Sequence, residues 1–187
     1  FLLTNGTDTR HLSSQSVLTR VNLNEHFTTR FNLIRSIREN QSDYLTTKNF
    51  RIRSYEIVPE LAYQPSVKLR FTGTYNYSRK ENELNREVGA EHAVFNELGL
   101  ETRLSQVSKR TVTGNLKYVR VEFKGELNSP VAIEMLNAFR PGNNLSWSLN
   151  VQQRLSNGLN ITLAYDGRKP NDIAAIHTGR MQVSVLF

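Results

Sequence analysis

Arg180-Met181-Gln182-Val183-Ser184-Val185-Leu186-Phe187 puts Met181, Val183, Val185 and Phe187 at every second place, against Arg180, Gln182 and Ser184. A period of two marks an extended strand with one oily and one polar edge. The segment before it repeats the design, with Leu159, Ile161, Leu163 and Tyr165 opposing Asn160, Thr162, Ala164 and Asp166. Before that, Leu145, Trp147, Leu149 and Val151 oppose Ser146, Ser148, Asn150 and Gln152, and Ser156-Asn157-Gly158 supplies a tight hairpin turn.

Farther upstream, Val67, Leu69, Phe71, Tyr75 and Tyr77 alternate with Lys68, Arg70, Thr72, Thr74 and Asn76. Weaker alternation predicts strands over Val17 to Leu23, Phe27 to Ile37, Phe50 to Tyr63, Leu98 to Val107 and Val112 to Phe123, nine in all. The phase changes near Tyr118-Val119, which reads as a β-bulge. A short helix fits Ala93 to Leu98 or Val131 to Leu136. Short turns at Asn24-Glu25, Gln64-Pro65, Ser108-Arg110 and Ser156-Gly158 alternate with long polar links at Arg38 to Asn49, Arg79 to Glu97, Gly125 to Asn144 and Gly167 to Ala175. Outer-membrane barrels have short periplasmic turns and long outer loops. The fold predicted is an all-β, antiparallel up-and-down transmembrane β-barrel of which about nine or ten strands are seen, residues 1–187 forming one domain.

Composition is compatible with that reading. No apolar run approaches the ~20 residues of a membrane helix, and mean hydropathy is negative. A barrel strand shows only alternate side chains to lipid, so half its residues can be polar. The chain has no Cys, which excludes a disulfide scaffold and thiolate metal sites. Bacterial single-chain barrels have an even number of strands, and Phe1 to Ser14 reads as a polar outer loop, so at least one further strand is expected, with Phe1 to Leu3 as its tail. The start at Phe1, without Met or signal peptide, leads to the expectation of a portion of a longer polypeptide.

From Asn128-Ser129-Pro130 through Glu134-Met135-Leu136, Pro141-Gly142-Asn143, Trp147, Tyr165-Asp166-Gly167-Arg168-Lys169 and His177-Thr178-Gly179 to Phe187, the chain resembles the C-terminal region of large, poorly characterised outer-membrane barrel proteins of Bacteroidota. The resemblance covers about the last ninety residues. It implies the outer membrane of a Gram-negative bacterium, with outer-membrane lipid and lipopolysaccharide as surroundings and other outer-membrane proteins or lipoproteins as partners. The terminal aromatic resembles the signal that the barrel-assembly machinery recognises.

Arg20, Arg30, Lys68, Arg70, Arg103, Arg120, Glu122, Arg154 and Arg180, with Lys124, are expected opposite the oily stripes and thus along a lumen. There they line an anion-favouring pore or pair with Glu101, Glu122 and Asp166, since buried charges need partners. Tyr63, Tyr75, Tyr77, Trp147, Tyr165 and Phe187 are expected at the membrane interfaces. His11, His26, His92 and His177 fall in no motif, and a constellation of His177, Asp172 and Ser184 has no support beyond residue type, so no enzyme is expected. Glu81, Glu83, Glu87 and Glu91 do not follow EF-hand spacing and read as a solvated loop; no metal or cofactor is expected. Aromatic and basic residues of the Lys68 to Tyr77 strand take opposite edges, which argues against nucleic acid. The functional expectation is a structural, transport or secretion and assembly role. A soluble β-sheet adhesion module is the alternative, and a barrel-embedded hydrolase a distant third.

Overall fold

A computed structural model describes residues 2–3, 6–84, 91–106, 109–155 and 158–185. Nine long strands, β2 (Gly6–Asn22), β3 (Phe27–Ser42), β4 (Phe50–Ser66), β5 (Leu69–Asn82), β6 (His92–Gln106), β7 (Arg110–Lys124), β8 (Gly142–Arg154), β9 (Leu159–Lys169) and β10 (Ile176–Val185), pair antiparallel with their sequence neighbours only. A two-residue strand, β1 (Leu2–Leu3), pairs with Gly6 and Thr7 of β2. The sheet is an open meander: β2 and β10 are not paired with each other, so the described residues do not close into a barrel.

The nine expected strands are present, with different ends. Residues expected as outer loop up to Ser14 belong to β2, which runs in register against β3 from Asp8 onward. Likewise β3 extends to Ser42, β5 to Asn82 and β9 to Lys169, while β6 begins at His92 and β8 at Gly142. In Arg79-Lys80-Glu81-Asn82 the alternation of polar and apolar residues vanishes while the hydrogen-bonded ladder continues. Ala93 to Leu98 is strand, and the helix is α1 (Pro130–Leu136).

Because paired residues share a face, the register assigns every strand residue to one of two faces. One carries Phe31, Leu33, Ile57, Leu61, Leu100, Leu116, Leu149 and Leu163 and is called the apolar face. Among the described residues no second layer covers it, and these eight side chains are 41–50% exposed. The other, polar face carries Arg30, Glu60, Arg70, Thr72, Thr74, Asn115, Ser148, Thr162 and Gln182, with Leu18, Ile34 and Val58 as apolar exceptions.

Near the long-link edge the polar face changes character. There Phe50, Ile52, Ala93, Phe95, Val119 and Val121 form a buried cluster with Val131, Ala132, Met135 and Leu136 of α1. This explains the phase change at Tyr118-Val119. Residues 110–124 stay in continuous register with β6, without a bulge; Val112, Leu116 and Tyr118 are on the apolar face, whereas Val119, Val121 and Phe123 lie on the opposite face, toward α1. A register shift occurs elsewhere, between Tyr63 and Ser66 of β4.

Helix α1 starts where the Ser129 hydroxyl accepts from the Ala132 N–H at 3.0 Å with Pro130 in the first turn, and stops at Asn137 in the left-handed conformation. Two contacts hold it on the sheet. Arg38 Nη1 lies 2.9 Å from Glu134 Oε2, and the buried Lys80 donates from Nζ to the Met135 carbonyl at 2.9 Å, 4.8 Å above the Phe95 ring. A cation on a helix's last carbonyls satisfies an acceptor that the helix cannot. Replacing Lys80 by Met keeps the stem and removes that donor. Loss of a charged hydrogen bond of about 1.5–3 kcal/mol predicts amide exchange in α1 faster by about 10- to 100-fold. Hydrogen exchange read by mass spectrometry checks this, and unchanged protection of residues 131–136 would mean that apolar packing alone seats the helix.

Candidate functional site

The apolar face is bounded by rings at both ends. At the short-turn end, Phe27, Tyr63 and Phe71 lie side by side on β3, β4 and β5, with centroids 4.6 Å and 6.4 Å apart and planes nearly parallel. At the other end the boundary is Tyr55 on β4, Tyr77 on β5, Tyr118 on β7, Trp147 on β8 and Tyr165 on β9. From Tyr55 to Tyr63 is a span of nine residues, and a tilted strand needs about 9–11 to cross a hydrocarbon layer.

This upper edge does not follow the hydrogen-bonded rows. Tyr55 pairs with Arg79, so Tyr77 lies one row below it; Tyr77 leads through Asn96 to Arg120, so Tyr118 is one row lower again. Tyr118 pairs with Leu145 and Trp147 with Gly167, so Trp147 and Tyr165 each descend another row. Traced back along the ladder, the row of Tyr165 meets β4 at Tyr63, eight residues from Tyr55, after five strand-to-strand steps. With ~3.3 Å per residue and ~4.8 Å between strands, the edge is inclined at roughly 45° to the rows. Strands in closed barrels tilt by about 35–45° from the axis, so a level boundary around a barrel has this slope against its ladder.

Trp147 is seated at its step by a glycine. A Cβ on Gly167 would stand 2.1 Å from Trp147 Cε2, so the indole lies directly on the β9 backbone, its face tilted toward the His177 ring at 5.6 Å. His177 stacks on Tyr165 at 6.0 Å, and Tyr165 Oη lies 2.8 Å from His177 Nδ1. Aromatic cover of a strand glycine restores contacts that the missing side chain forfeits. Asn96 and Asn143 accept from the hydroxyls of Tyr75 and Tyr118 at 2.8 Å each.

Of the aromatics expected at interfaces, Tyr63, Tyr75, Tyr77, Trp147 and Tyr165 share the apolar face, while Phe187 lies outside the described residues. Tyr55, Tyr118, Phe27 and Phe71 complete the two boundaries and were missed by the sequence reading; Tyr118 was hidden by the apparent phase change, and Tyr55 by the lack of alternation above it.

Of the charged residues expected to line an interior, Arg20, Arg30, Arg70, Arg103, Arg154 and Arg180 share the polar face, and Lys68 lies in the turn before β5. Arg120, Glu122 and Lys124 do not: unbroken register puts them on the apolar face beyond Tyr118, because the phase change they were read through is no bulge. On the polar face Glu60 stands 3.4 Å from Arg30 and 3.9 Å from Arg70, Glu97 is 2.7 Å from Lys117, and Asp166 is 3.3 Å from Arg180. Glu101 pairs across strands with Thr72 and Asn115 rather than with an arginine.

The histidines are scattered over β2, the first hairpin, β6 and β10. His26 Nδ1 lies 3.1 Å from the Gln64 carbonyl. His177, Asp172 and Ser184 do not assemble: Asp172 is in the 170–175 link, His177 is on the apolar face, and Ser184 is on the polar face seven residues down the strand. The acids read as a solvated loop are partners instead. Glu83 binds Arg53 at 2.9 Å, Glu91 accepts from Asn82 Nδ2 at 2.9 Å and Ser129 Oγ at 3.2 Å, and Glu87 lies outside the described residues.

No protein-family model matches this chain, and no curated protein or solved structure matches it either, so the geometry of its two faces carries the functional argument. Gly167→Ala tests the indole seat. The methyl group must push the ring off the strand, which predicts a red-shifted emission of Trp147, the chain's one tryptophan, and a loss of roughly 1–3 kcal/mol. Unaltered emission and stability would show that Trp147 packs elsewhere.

Proposed function

We propose that this chain forms part of a β-barrel spanning a bacterial outer membrane, the apolar face toward lipid and the polar face toward an enclosed interior. The observation that carries this reading is the uncovered apolar face whose upper aromatic edge is inclined to the ladder, with rings also at its short-turn end on β3 to β5. A soluble sheet buries its apolar face under a second layer, and its apolar stripe has no reason to climb against the ladder. Lipid explains both features, since a level membrane intersects tilted strands at successive residues.

Two further features support the reading. Strand β4 is 17 residues long, roughly 55 Å, about twice what the band needs, so the strands rise well beyond the long-link side of the membrane. On that side α1 sits against the polar face, which in a ring narrows the outer mouth. The polar face below it carries the ion pairs Arg30–Glu60–Arg70, Lys117–Glu97 and Arg180–Asp166, which supports a structural lumen over a wide channel. The role that follows is a membrane anchor or a component of a transport or assembly complex, with small-solute flow restricted at the outer end.

The ring needs completion. Strands β2 and β10 both run from the long-link edge to the short-turn edge, so direct pairing would be parallel. An up-and-down barrel instead inserts between them an odd number of strands, the one beside β2 running in the sense of β1.

Reconstitution into vesicles of brominated phospholipid tests the assignment. Trp147 sits at the band's upper edge, so bromines near the headgroup end of the acyl chain are expected to quench it more than bromines near the terminal methyl. A protein that is monodisperse without detergent and whose emission ignores the bromines would instead be a soluble sheet module. Paired substitutions add a quantitative check. Phe31→Arg, in mid-band four residues from both Phe27 and Arg35 and 43% exposed, is expected to cost about 2–4 kcal/mol in urea titrations of the vesicle-bound protein, and Asn115→Arg on the polar face less than about 1 kcal/mol. Equal costs would remove the distinction between lipid and interior.

A further inference from the structure

We propose that the row of cations just beyond the upper aromatic edge of the apolar face is a docking surface for the phosphate groups of lipopolysaccharide-type lipids in the leaflet on the long-link side. The proposal rests on the barrel reading and adds to it a ligand chemistry and a site.

The placement is regular. On β3, Arg35 lies two residues beyond Leu33; on β4, Arg53 two beyond Tyr55; on β5, Arg79 two beyond Tyr77; on β7, Arg120 two beyond Tyr118. On β9, where Gly167 serves as the indole's seat, Lys169 follows at the next place on that face. On the intervening strands, Asn96 of β6 and Asn143 of β8 are level with Arg120, Asn143 standing four residues beyond Trp147 with Leu145 between them. From β4 to β9 these cations descend with the aromatic edge instead of following the ladder, while Arg35 on β3 is level with Tyr55. The row of Arg53 runs through Glu81 and His92 to Lys124, and Arg120 stands four residues below Lys124. Charges arranged for pairing within the sheet would keep to rows. Charges arranged against a membrane surface keep to the boundary of the apolar band, as these do.

The acids are layered behind them. Glu81 and Glu122 each stand two residues farther from the band than Arg79 and Arg120, and Glu83, which binds Arg53, lies beyond the end of β5. Arg120 and Glu122 are each 60% exposed at 3.1 Å, and such pairs are weak enough to yield a guanidinium to a stronger anion. Arg35 Cζ lies 5.9 Å from the centroid of the Tyr55 ring, a cation–π contact that places a guanidinium at the aromatic edge. Guanidinium groups bind phosphate oxygens in bidentate fashion, and cations next to hydrocarbon attract anionic headgroups within a Debye length. A lipid carrying two phosphates on one headgroup can bridge neighbouring strands, and cations on three adjacent strands, β3 to β5, offer that spacing.

The test uses the chain folded in neutral detergent micelles, titrated with lipid A, a bis-phosphorylated disaccharide lipid, and with its dephosphorylated form. Lipid A is expected to bind at least about tenfold more tightly than the dephosphorylated lipid, a preference lost in the variant R35Q/R53Q/R79Q/R120Q/K169Q and retained in the polar-face variant R30Q/R70Q/R180Q. Millimolar inorganic phosphate should leave the bound lipid in place. Equal binding of the two lipids by the unaltered chain overturns the proposal without needing any variant, as does equal loss in the polar-face variant or displacement by free phosphate. Quenching of Trp147 in neutral brominated vesicles separates the two levels: insertion without lipid A preference defeats the docking surface alone, and absence of insertion defeats the barrel reading as well.

Discussion

An unbroken antiparallel ladder decides which way every side chain of this protein points. From β3 to β9 neighbouring strands exchange backbone hydrogen bonds in continuous register with one shift at Tyr63, and a slip by one residue anywhere would turn Leu33, Ile57 or Leu116 to the opposite side. Both faces depend on it: the apolar band, the two ring boundaries and the cluster under α1 are patterns across strands that exist only in this register. Hairpin chemistry helps to hold it. Asn24 Oδ1 accepts from the N–H groups of His26 and Phe27 at 2.9 Å and 2.8 Å, closing the first short turn in a form that its strands can inherit.

Each strand is two-sided in a way that changes along its length. In its lower part the apolar side chains share one face and the polar ones the other, a face of ion pairs and amides. Beyond the upper ring boundary the arrangement reverses: Arg53, Arg79 and Arg120 lie on the face that carries the apolar band, while Ile52, Phe95 and Val121 turn to the opposite face against a helix. Burial of Met135, Val119 and Val121 supplies the apolar core of the described residues, and it stands above the band, not within it. Under the proposed barrel reading, a strand about twice as long as a hydrocarbon layer needs such a second source of burial, since the projecting part lacks lipid to cover it.

This reversal explains which parts were legible in the sequence. Alternation in 159–165 and 145–151 was plain because one face alone is apolar there, and all nine strands were recognisable from it. Strand ends were not, because from Arg79 to Asn82 both faces carry polar groups and the period disappears while pairing goes on. At Tyr118-Val119 two apolar runs on opposite faces meet in one straight strand, which in sequence is indistinguishable from a bulge; that is why Arg120 and Glu122 were assigned inward. The slope of the aromatic edge could not be read from any single strand, since it is a relation between Tyr55, Tyr77, Tyr118, Trp147 and Tyr165 that needs the register to be expressed.

The same register constrains how the proposed ring would close. The outer edges of β2 and β10 present rows of backbone N–H and C=O groups, each costing several kcal/mol if left without a partner in hydrocarbon. Both edges run the same way, so they cannot satisfy each other by the antiparallel geometry used everywhere else in the sheet. A completing strand beside β2 must therefore rise toward the long-link edge, as Leu2–Leu3 do against Gly6 and Thr7. Its side chains level with Val17 and Val21 must be apolar, and those level with Arg20 polar, because cross-strand neighbours share a face. The nearly complete exposure of β2 and β10 then has a simple cause: among the described residues β10 has a neighbour on one side only and β2 has on its outer side only Leu2–Leu3, and in the proposed barrel a completing strand would cover both edges.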